Sequence, residues 1–393
     1  MKNIDMVFNK MKITALIFLF IMQVSCIVLA ADKDNIIEPS NTQAGLVFDI
    51  NSISYLYNHD YQGIPTHDSF GNPIYSSPAR PGFYQTYYGD NLMLLMRYKD
   101  GKSITYTAGV FGGLIYGEND LFTPALPLLS FHYEPDDSFY MTFGTLDRST
   151  HSGLLDAIFD DYLNYPSPAT VAAKFRRLPL VNASEVPRPL ENGYEMYFAL
   201  LKSLTYQGWI NWNYINSPQD RESFDCASIL LIDLKTSIGL VLNGDWRYIH
   251  RGGQLYHNGS LMDGHVFDAG FSYYPSFIPN AKISANLLWS HDVGDRYEEP
   301  QLTLDGNGQE VRLEYNLQGF NLSATYWNGK DFYTEDGNPF YQAEYFINFG
   351  VDKKFVITDG INIGFGIILY DVSGKFAHSE KVFLIFDKIF KLL

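Results

Sequence analysis

The chain has 393 residues, of which 28 are basic and 44 acidic, so its formal net charge is −16. A nucleic-acid-binding protein would show a basic stripe, so we expect no nucleic-acid partner. Aromatic residues make up 16% of the chain and charged residues only 18%, a composition that favours contact with lipid or sugar.

The N-terminal segment KMKITALIFLFIMQVSCIVLAAD has the features of a secretory signal peptide. Two lysines precede an uncharged apolar run that starts at Ile13, and the small residues Ala30 and Ala31 follow that run. This order of basic, apolar and small residues is typical of a cleaved export signal. We therefore predict a signal peptide over residues 1–30, with an uncleaved anchor or a lipoprotein attached at Cys26 as alternatives.

The remaining sequence repeatedly alternates apolar and polar residues. In INIGFGIILY, residues 361–370, the odd positions are all aliphatic or aromatic, whereas the even positions include Gly364 and Gly366. Period 2 belongs to β-strands, and ten residues are too few for a membrane-spanning helix, which needs about 20. Similar runs predict sixteen strands, at residues 44–57, 84–99, 103–116, 125–134, 137–146, 189–201, 203–215, 222–235, 236–249, 263–275, 281–291, 309–317, 319–328, 341–354, 361–372 and 379–390.

These runs predict an all-β protein, a transmembrane antiparallel β-barrel of about 16 strands (range 14–18). Residues 31–393 would form this single domain, with short turns alternating with long connections. A closed barrel pairs every backbone polar group inside lipid, which an open sheet does not. The alternative is a soluble β-sandwich or solenoid, but polar inner-face residues such as Asn243, Arg312 and Asn316 would destabilise a packed core.

Four stretches, FGTLDR, PRPLENGYEMYF, GWINWNYI and YIHRGGQ, resemble segments of bacterial outer-membrane proteins of the porin-like kind, of an uncharacterised group. The resemblance also covers the export segment and the strand pattern over nearly the whole mature chain. It implies a location in the bacterial outer membrane, contact with outer-membrane lipid and insertion by the barrel assembly machinery. A homo-oligomer is one option that the resemblance leaves open.

The function predicted from this resemblance is a channel, not an enzyme, for passive diffusion of small polar solutes, without a cofactor or metal. The long connection at about residues 147–186 carries acidic and then basic residues, and lies either in the lumen, where it would narrow the pore, or on the surface. The segment WRYIHRGGQ, with His250, is either a basic patch at the mouth or, as we favour, an ordinary strand end. The candidate pore-lining or constriction residues are Asp156, Asp160, Asp161, Lys174, Arg176, Arg177, Asp245, Arg247, Arg251, Arg312 and Glu314.

Two other functions remain open at this point. The first is a lipid-modifying enzyme, because outer-membrane lipases and deacylases are similar in using a His-x-Ser pair whose imidazole takes the serine proton. The sequence has this spacing at His67-Asp68-Ser69, but the pair lies in a predicted loop and a two-residue match arises easily by chance. The second is a structural or surface-interaction barrel that is plugged by its own side chains.

Aromatic residues are also expected at the membrane boundary. Trp209 and Trp212 lie three positions apart, so they point to opposite sides of a strand. We place both in the boundary belt, with a lumen position for one of them as the alternative.

Overall fold

The computed structural model describes residues 44–60, 84–101, 103–115, 122–146, 154–155, 157–158, 191–214, 222–252, 262–293, 303–334 and 338–392. These residues form sixteen β-strands in one antiparallel sheet that closes on itself. The prediction of an all-β barrel with about sixteen strands is therefore confirmed. The predicted signal peptide, residues 1–30, lies outside the described residues and stays a prediction.

The strands follow one another around the barrel in chain order. They are β1 (Gly45–Asp60), β2 (Tyr84–Asp100), β3 (Ile104–Ile115), β4 (Phe122–Asp136), β5 (Phe139–Leu146), β6 (Glu191–Leu201), β7 (Leu204–Tyr214), β8 (Ser223–Leu234), β9 (Leu240–Arg251), β10 (Met262–Tyr273), β11 (Ala281–Val293), β12 (Thr303–Leu317), β13 (Phe320–Lys330), β14 (Tyr345–Thr358), β15 (Ile361–Val372) and β16 (Lys375–Lys391). A four-residue helix, α1 (Lys235–Ile238), joins β8 to β9, and a 3₁₀ turn, Pro339–Gln342, precedes β14. Within the described part of the chain, no helix is long and apolar enough to span a bilayer.

The first and last strands close the barrel. β1 pairs with β16 in an antiparallel ladder that runs from Val47 opposite Lys391 to Asp60 opposite His378. The other edge of β1 pairs with β2 from Gly45 opposite Lys99 to Asp60 opposite Tyr84. Closure removes the free strand edges that would otherwise leave backbone N–H and C=O groups unpaired.

The two ends of the barrel differ in their connections. At one end, strands are joined by short segments such as residues 101–103, 137–138 and 318–319; we call this the short-turn end. The opposite, long-loop end carries longer connections, such as residues 61–83 and 147–190. In outer-membrane barrels the short turns face the periplasm and the long loops face the outside.

The barrel wall has an apolar outer face and a polar inner face, as β11 shows. Its outward residues Leu287 and Trp289 are 51% and 46% exposed, whereas the inward Asn286 and Ser290 are each only 4% exposed. The exposed residues form an apolar band around the outside, which is the surface that acyl chains cover in a transmembrane barrel.

The two tryptophans of β7 lie on opposite faces, as their spacing requires. Trp212 points outward and is 41% exposed, while Trp209 is 5% exposed and packs among lumen residues. Placing Trp209 in the boundary belt was therefore wrong, because its neighbours across the ladders belong to the inner face.

A tight contact in the wall gives a test of the packing. Gly308 of β12 lies opposite Gly329 of β13, and a Cβ atom on Gly308 would be 1.9 Å from the ring of Trp327. A Cβ atom on Gly244 of β9 would meet no atom within 4 Å. Trp327 therefore occupies the space that a side chain at position 308 would need.

We expect Gly308→Ala to lower the free energy of unfolding by about 1–3 kcal/mol, because the added methyl group overpacks the Trp327 ring. Gly244→Ala serves as the control and should be neutral or gain about 0.5 kcal/mol. Urea titration of the refolded barrel, followed by the mobility shift between folded and unfolded bands in gel electrophoresis, measures both. Equal stability of the two variants would contradict the packing described for Trp327.

Candidate functional site

Part of the lumen is filled by residues from two connections at the long-loop end. Phe340 and Tyr341, which precede β14, are buried, and the Phe340 ring stacks on Tyr370 of β15 at a centroid distance of 3.8 Å. The indole nitrogen of Trp327 donates a hydrogen bond of 3.0 Å to the carbonyl of Ala343. These contacts close the lumen beside β13–β16 with an apolar core.

The connection between β5 and β6 also reaches this core. Its described residues include Leu154, Ala157 and Ile158, all of them buried among lumen-facing side chains. Arg247 of β9 donates through Nη1 to the carbonyl oxygen of Ile158 at 3.1 Å, and the hydroxyl of Thr334 donates to the same oxygen at 3.3 Å. One carbonyl thus links the wall to both connections.

Arg247 is itself held by a buried carboxylate. Its Nη2 lies 3.2 Å from Oδ2 of Asp225, and both side chains are at most 2% exposed. Asn211 donates to the other oxygen of Asp225 at 2.9 Å. The arginine is therefore a structural link between the wall and Ile158, as well as a charge in the lumen.

Five of the predicted pore-lining residues lie within the described chain. Asp245 and Arg247 face the lumen and are buried. Arg312 and Glu314 lie 3.4 Å apart and line a lumen cavity of about 340 Å³. Arg251 occupies the last position of β9.

The other six candidates, and the proposed catalytic pair, lie outside the described residues. The pore-lining role of the whole set stays a prediction. These residues are Asp156, Asp160, Asp161, Lys174, Arg176, Arg177, His67 and Ser69.

A different polar group lies on the outward face, at the long-loop end of β9–β12. The ladders place His250 opposite Asp263, His265 opposite both Tyr248 and His291, and His291 opposite Asp305. All six side chains therefore share the outer face of the wall. We call this group the rim cluster; its members are Tyr248, His250, Asp263, His265, His291 and Asp305.

The centre of the rim cluster is a hydrogen-bonded histidine and aspartate. Nδ1 of His250 lies 2.7 Å from Oδ1 of Asp263, and the hydroxyl of Tyr248 donates to the same oxygen at 2.7 Å. The side chain of Asp263 is 4% exposed and that of His250 is 16% exposed. Because a carboxylate only accepts hydrogen bonds, Nδ1 is the donor in this contact, and in the neutral imidazole Nε2 then carries the lone pair.

A second histidine and aspartate pair flanks this centre. Nδ1 of His291 lies 2.7 Å from Oδ1 of Asp305, in a more exposed position. The ring of His265 lies between the two pairs, with its centroid 4.7 Å from that of Tyr248 and 6.4 Å from that of His291. Three imidazoles therefore stand side by side along the wall.

Aromatic residues lie directly below the rim cluster, toward the short-turn end. Trp246 precedes Tyr248 by one outward position on β9, and Phe267 and Trp289 occupy the corresponding positions on the next two strands. Rings of this kind settle at the boundary between acyl chains and head groups. The rim cluster thus lies just beyond these rings, toward the long-loop end.

This arrangement is suited to proton transfer. A histidine whose Nδ1 is held by a carboxylate can take a proton at Nε2 from water or a hydroxyl group. By contrast, the outward pair of His378 and Asp60 is 3.8 Å apart, too long for a hydrogen bond. In the described residues, no group of three or more His, Cys, Asp or Glu side chains has the geometry of a metal site.

Reasoning from the sequence missed the rim cluster. For the segment with His250, the sequence predicted only a basic patch at the mouth or, as favoured, an ordinary strand end. The available signal was parity, because His250 and Arg247 lie an odd number of positions apart and so face opposite sides of β9. Asp263 gave no local signal, since it lies 13 residues further along the chain.

Comparison with known proteins identifies one family. The model of the family described as "Lipid A 3'-O-deacylase-type" matches residues 37–393. The prediction that the chain is not an enzyme is therefore wrong, because this is an enzyme family. No curated protein matches the chain.

Solved structures share the architecture. OmpTdeltaL8, a loop deletion mutant of an outer-membrane protein of Vibrio cholerae, matches at 9% identity with a TM-score of 0.50, covering 88% of this chain and 99% of its own. OccK1 (OpdK) of Pseudomonas aeruginosa has 10% identity, a TM-score of 0.47 and coverages of 88% and 99%. A BenF-like porin from Pseudomonas fluorescens Pf-5 has 9% identity, a TM-score of 0.45 and the same coverages. The likeness concerns the fold alone: the chain is an outer-membrane β-barrel of the porin-like kind.

We expect Arg247→Ala to lower the free energy of unfolding by about 3–5 kcal/mol, because it leaves the Asp225 carboxylate buried without its partner. Lys388→Ala, which breaks the exposed pair with Asp359, should cost less than about 1 kcal/mol. Urea titrations of the two refolded variants make the comparison. A small effect of Arg247→Ala would contradict a buried ion pair between Arg247 and Asp225.

Proposed function

Because the chain belongs to the lipid A 3'-O-deacylase-type family, we propose that it hydrolyses the ester bond that holds an acyl chain at the 3'-O position of lipid A. The observation that carries this proposal is the extent of the family match, residues 37–393, which includes every strand of the barrel. The activity would therefore belong to the barrel itself.

We place the active site at the rim cluster. Its outward position gives direct access to a lipid in the surrounding leaflet, without passage through the lumen. The exposed rings of Phe267 and Trp289, 47% and 46% exposed, offer an apolar surface for the acyl chain below the polar groups. An ester bond lies at the junction of the acyl chain and the sugar head group, which is the level of His250.

His250 is the proposed general base. Its Nε2 would take a proton from a water molecule while the water oxygen attacks the carbonyl carbon of the ester. The bond from that carbon to the sugar oxygen then breaks, and the imidazolium returns the proton to the leaving sugar oxygen. The products are a free fatty acid and a sugar hydroxyl group, so the step needs no further reactant.

Asp263 and Tyr248 are positioning residues in this scheme. The carboxylate fixes the imidazole through Nδ1 and stabilises its protonated form. The tyrosine hydroxyl, 2.7 Å from the same oxygen, holds the carboxylate in place. Burial of Asp263 strengthens both hydrogen bonds, because water does not compete for them.

We expect His250→Ala and Asp263→Asn each to lower the rate of deacylation by about 10²–10⁴-fold, because general-base catalysis contributes that much. The measurement is the fatty acid released from purified lipid A in detergent micelles, followed by mass spectrometry of both products. His378→Ala, which changes the longer outward pair on β16, is the control and should retain activity.

The possible results distinguish a wrong function from a wrong active site. A folded wild-type barrel that releases no acyl chain from the 3'-O position would refute the proposed function. Full activity of His250→Ala, with wild-type activity intact, would keep the function but remove the rim cluster as its site. Gel mobility of heated and unheated samples checks that each variant is folded.

A passive channel for small polar solutes is the second candidate. The cavity lined by Arg312, Glu314 and Asn316 favours it, because these polar side chains would contact a hydrated solute. The apolar core around Phe340 and Tyr341 argues against it on that side of the lumen. A plugged barrel that acts only through its surface has no separate observation in its favour.

We expect the refolded chain to show little or no steady conductance in a planar bilayer, since the apolar core occupies lumen space that ions would need. The matched comparison is Phe340→Ala with Tyr341→Ala, which should raise the conductance if the core is the barrier. Large, steady openings of the wild-type protein would instead support the channel.

A further inference from the structure

Two buried aspartates face each other inside the barrel, on the opposite side of the wall from the rim cluster. Asp245 of β9 and Asp268 of β10 are direct partners in the ladder and are 3% and 4% exposed. Like charges in direct register destabilise a sheet. Buried carboxylates also require a compensating charge or hydrogen bonds.

The described protein supplies only part of this compensation. The amide nitrogen of Asn243 donates to Oδ2 of Asp268 and, at 3.4 Å, to Oδ2 of Asp245. The Oδ1 atoms of both aspartates are buried and accept from no N–H or O–H donor, while the two carboxyl groups lie within hydrogen-bonding reach of each other. Nη1 and Nη2 of the neighbouring Arg247 are directed to Ile158 and Asp225. One buried oxygen of each aspartate therefore lacks a donor, and the pair lacks a compensating positive charge.

A third oxygen comes from the next strand. Asn286 of β11 is 4% exposed, and its Oδ1 lies 3.4 Å from the amide nitrogen of Asn243. The space for its side chain exists because residue 270 is glycine: a Cβ atom there would be 1.9 Å from Oδ1 of Asn286. The backbone of β10 thus makes room for a carboxamide beside the two carboxylates.

We propose that Asp245, Asp268 and Asn286 form a binding site for a hard divalent cation, Ca²⁺ in the first place, inside the barrel. Hard cations prefer oxygen ligands, and Ca²⁺ accepts carboxylates, carboxamides and water in flexible numbers. The two carboxylates balance the charge of one such ion. The three side chains do not fill the coordination shell of such an ion, so water would complete it.

Such an ion would link β9, β10 and β11, the strands that also carry most of the rim cluster. Its binding would stabilise the folded barrel by mass action, because the unfolded chain lacks the site. The negative charge of Glu310, which acts on Asp268 from β12, would strengthen the attraction for a cation. This proposal is independent of the deacylase function, since it concerns the lumen side.

The test is calorimetric titration of Ca²⁺ into the full-length chain, refolded in detergent without lipopolysaccharide, at neutral pH. We expect one site per chain, with affinity reduced by roughly tenfold or more in Asp245→Asn and in Asp268→Asn, because each loses a charged ligand. The control is Asp352→Asn, another lumen aspartate, whose carboxylate accepts from Asn321 at 2.9 Å. This control should bind Ca²⁺ as the wild type does.

Several outcomes would overturn the proposal. These are a wild-type protein that binds no Ca²⁺, or one whose binding is unchanged in Asp245→Asn. A wild-type barrel that is insensitive to Ca²⁺ but loses stability as the pH rises would show that the aspartates share a proton instead. If the aspartate variants do not fold, Gly270→Ala, which displaces Asn286, must weaken binding for the site to stand.

Discussion

Closure of the backbone ladder between β1 and β16 is the interaction on which the rest of the structure depends. Fourteen residue pairs from Val47–Lys391 to Asp60–His378 join the ends of the chain and complete the sheet. In lipid an unpaired strand edge costs several kcal/mol for each free polar group, so the wall is stable only as a closed ring. Once closed, the ring fixes the register of every strand, and the register decides which side chains meet.

The register separates two kinds of chemistry that adjoin each other along the chain. Arg247 points into the lumen and binds Asp225, whereas the next residue, Tyr248, points outward and binds Asp263. The lumen side therefore contains buried charges and an apolar core, while the outer side holds the imidazoles of the rim cluster above an aromatic belt. A lipid substrate and a lumen cation would each meet only one face of the same strands.

The porin-like architecture does not by itself indicate a channel. The same barrel can carry a water-filled pore or a reactive group on its outer wall, because the scaffold provides rigid positions on both faces. The expectation of a passive pore followed the resemblance, whereas the family match favours the lipid-modifying alternative. His250 and Asp263 form a largely buried, hydrogen-bonded pair on the outward face of the wall.

The sequence alone determined that the chain is an all-β barrel of about sixteen strands, since period 2 persists over its length and each strand needs only its own alternation to be recognised. The start of β12 was predicted at residue 309, but the strand begins at Thr303. The glycines and polar residues of TLDGNG look like a loop in the sequence, and only the ladder with β11 shows that they belong to the strand. Only the tertiary structure decided that His250 meets Asp263, that Trp209 faces the lumen and that Asp245 faces Asp268. These contacts depend on the register between strands, which hydrogen bonds across the sheet set and which no local pattern of residues records.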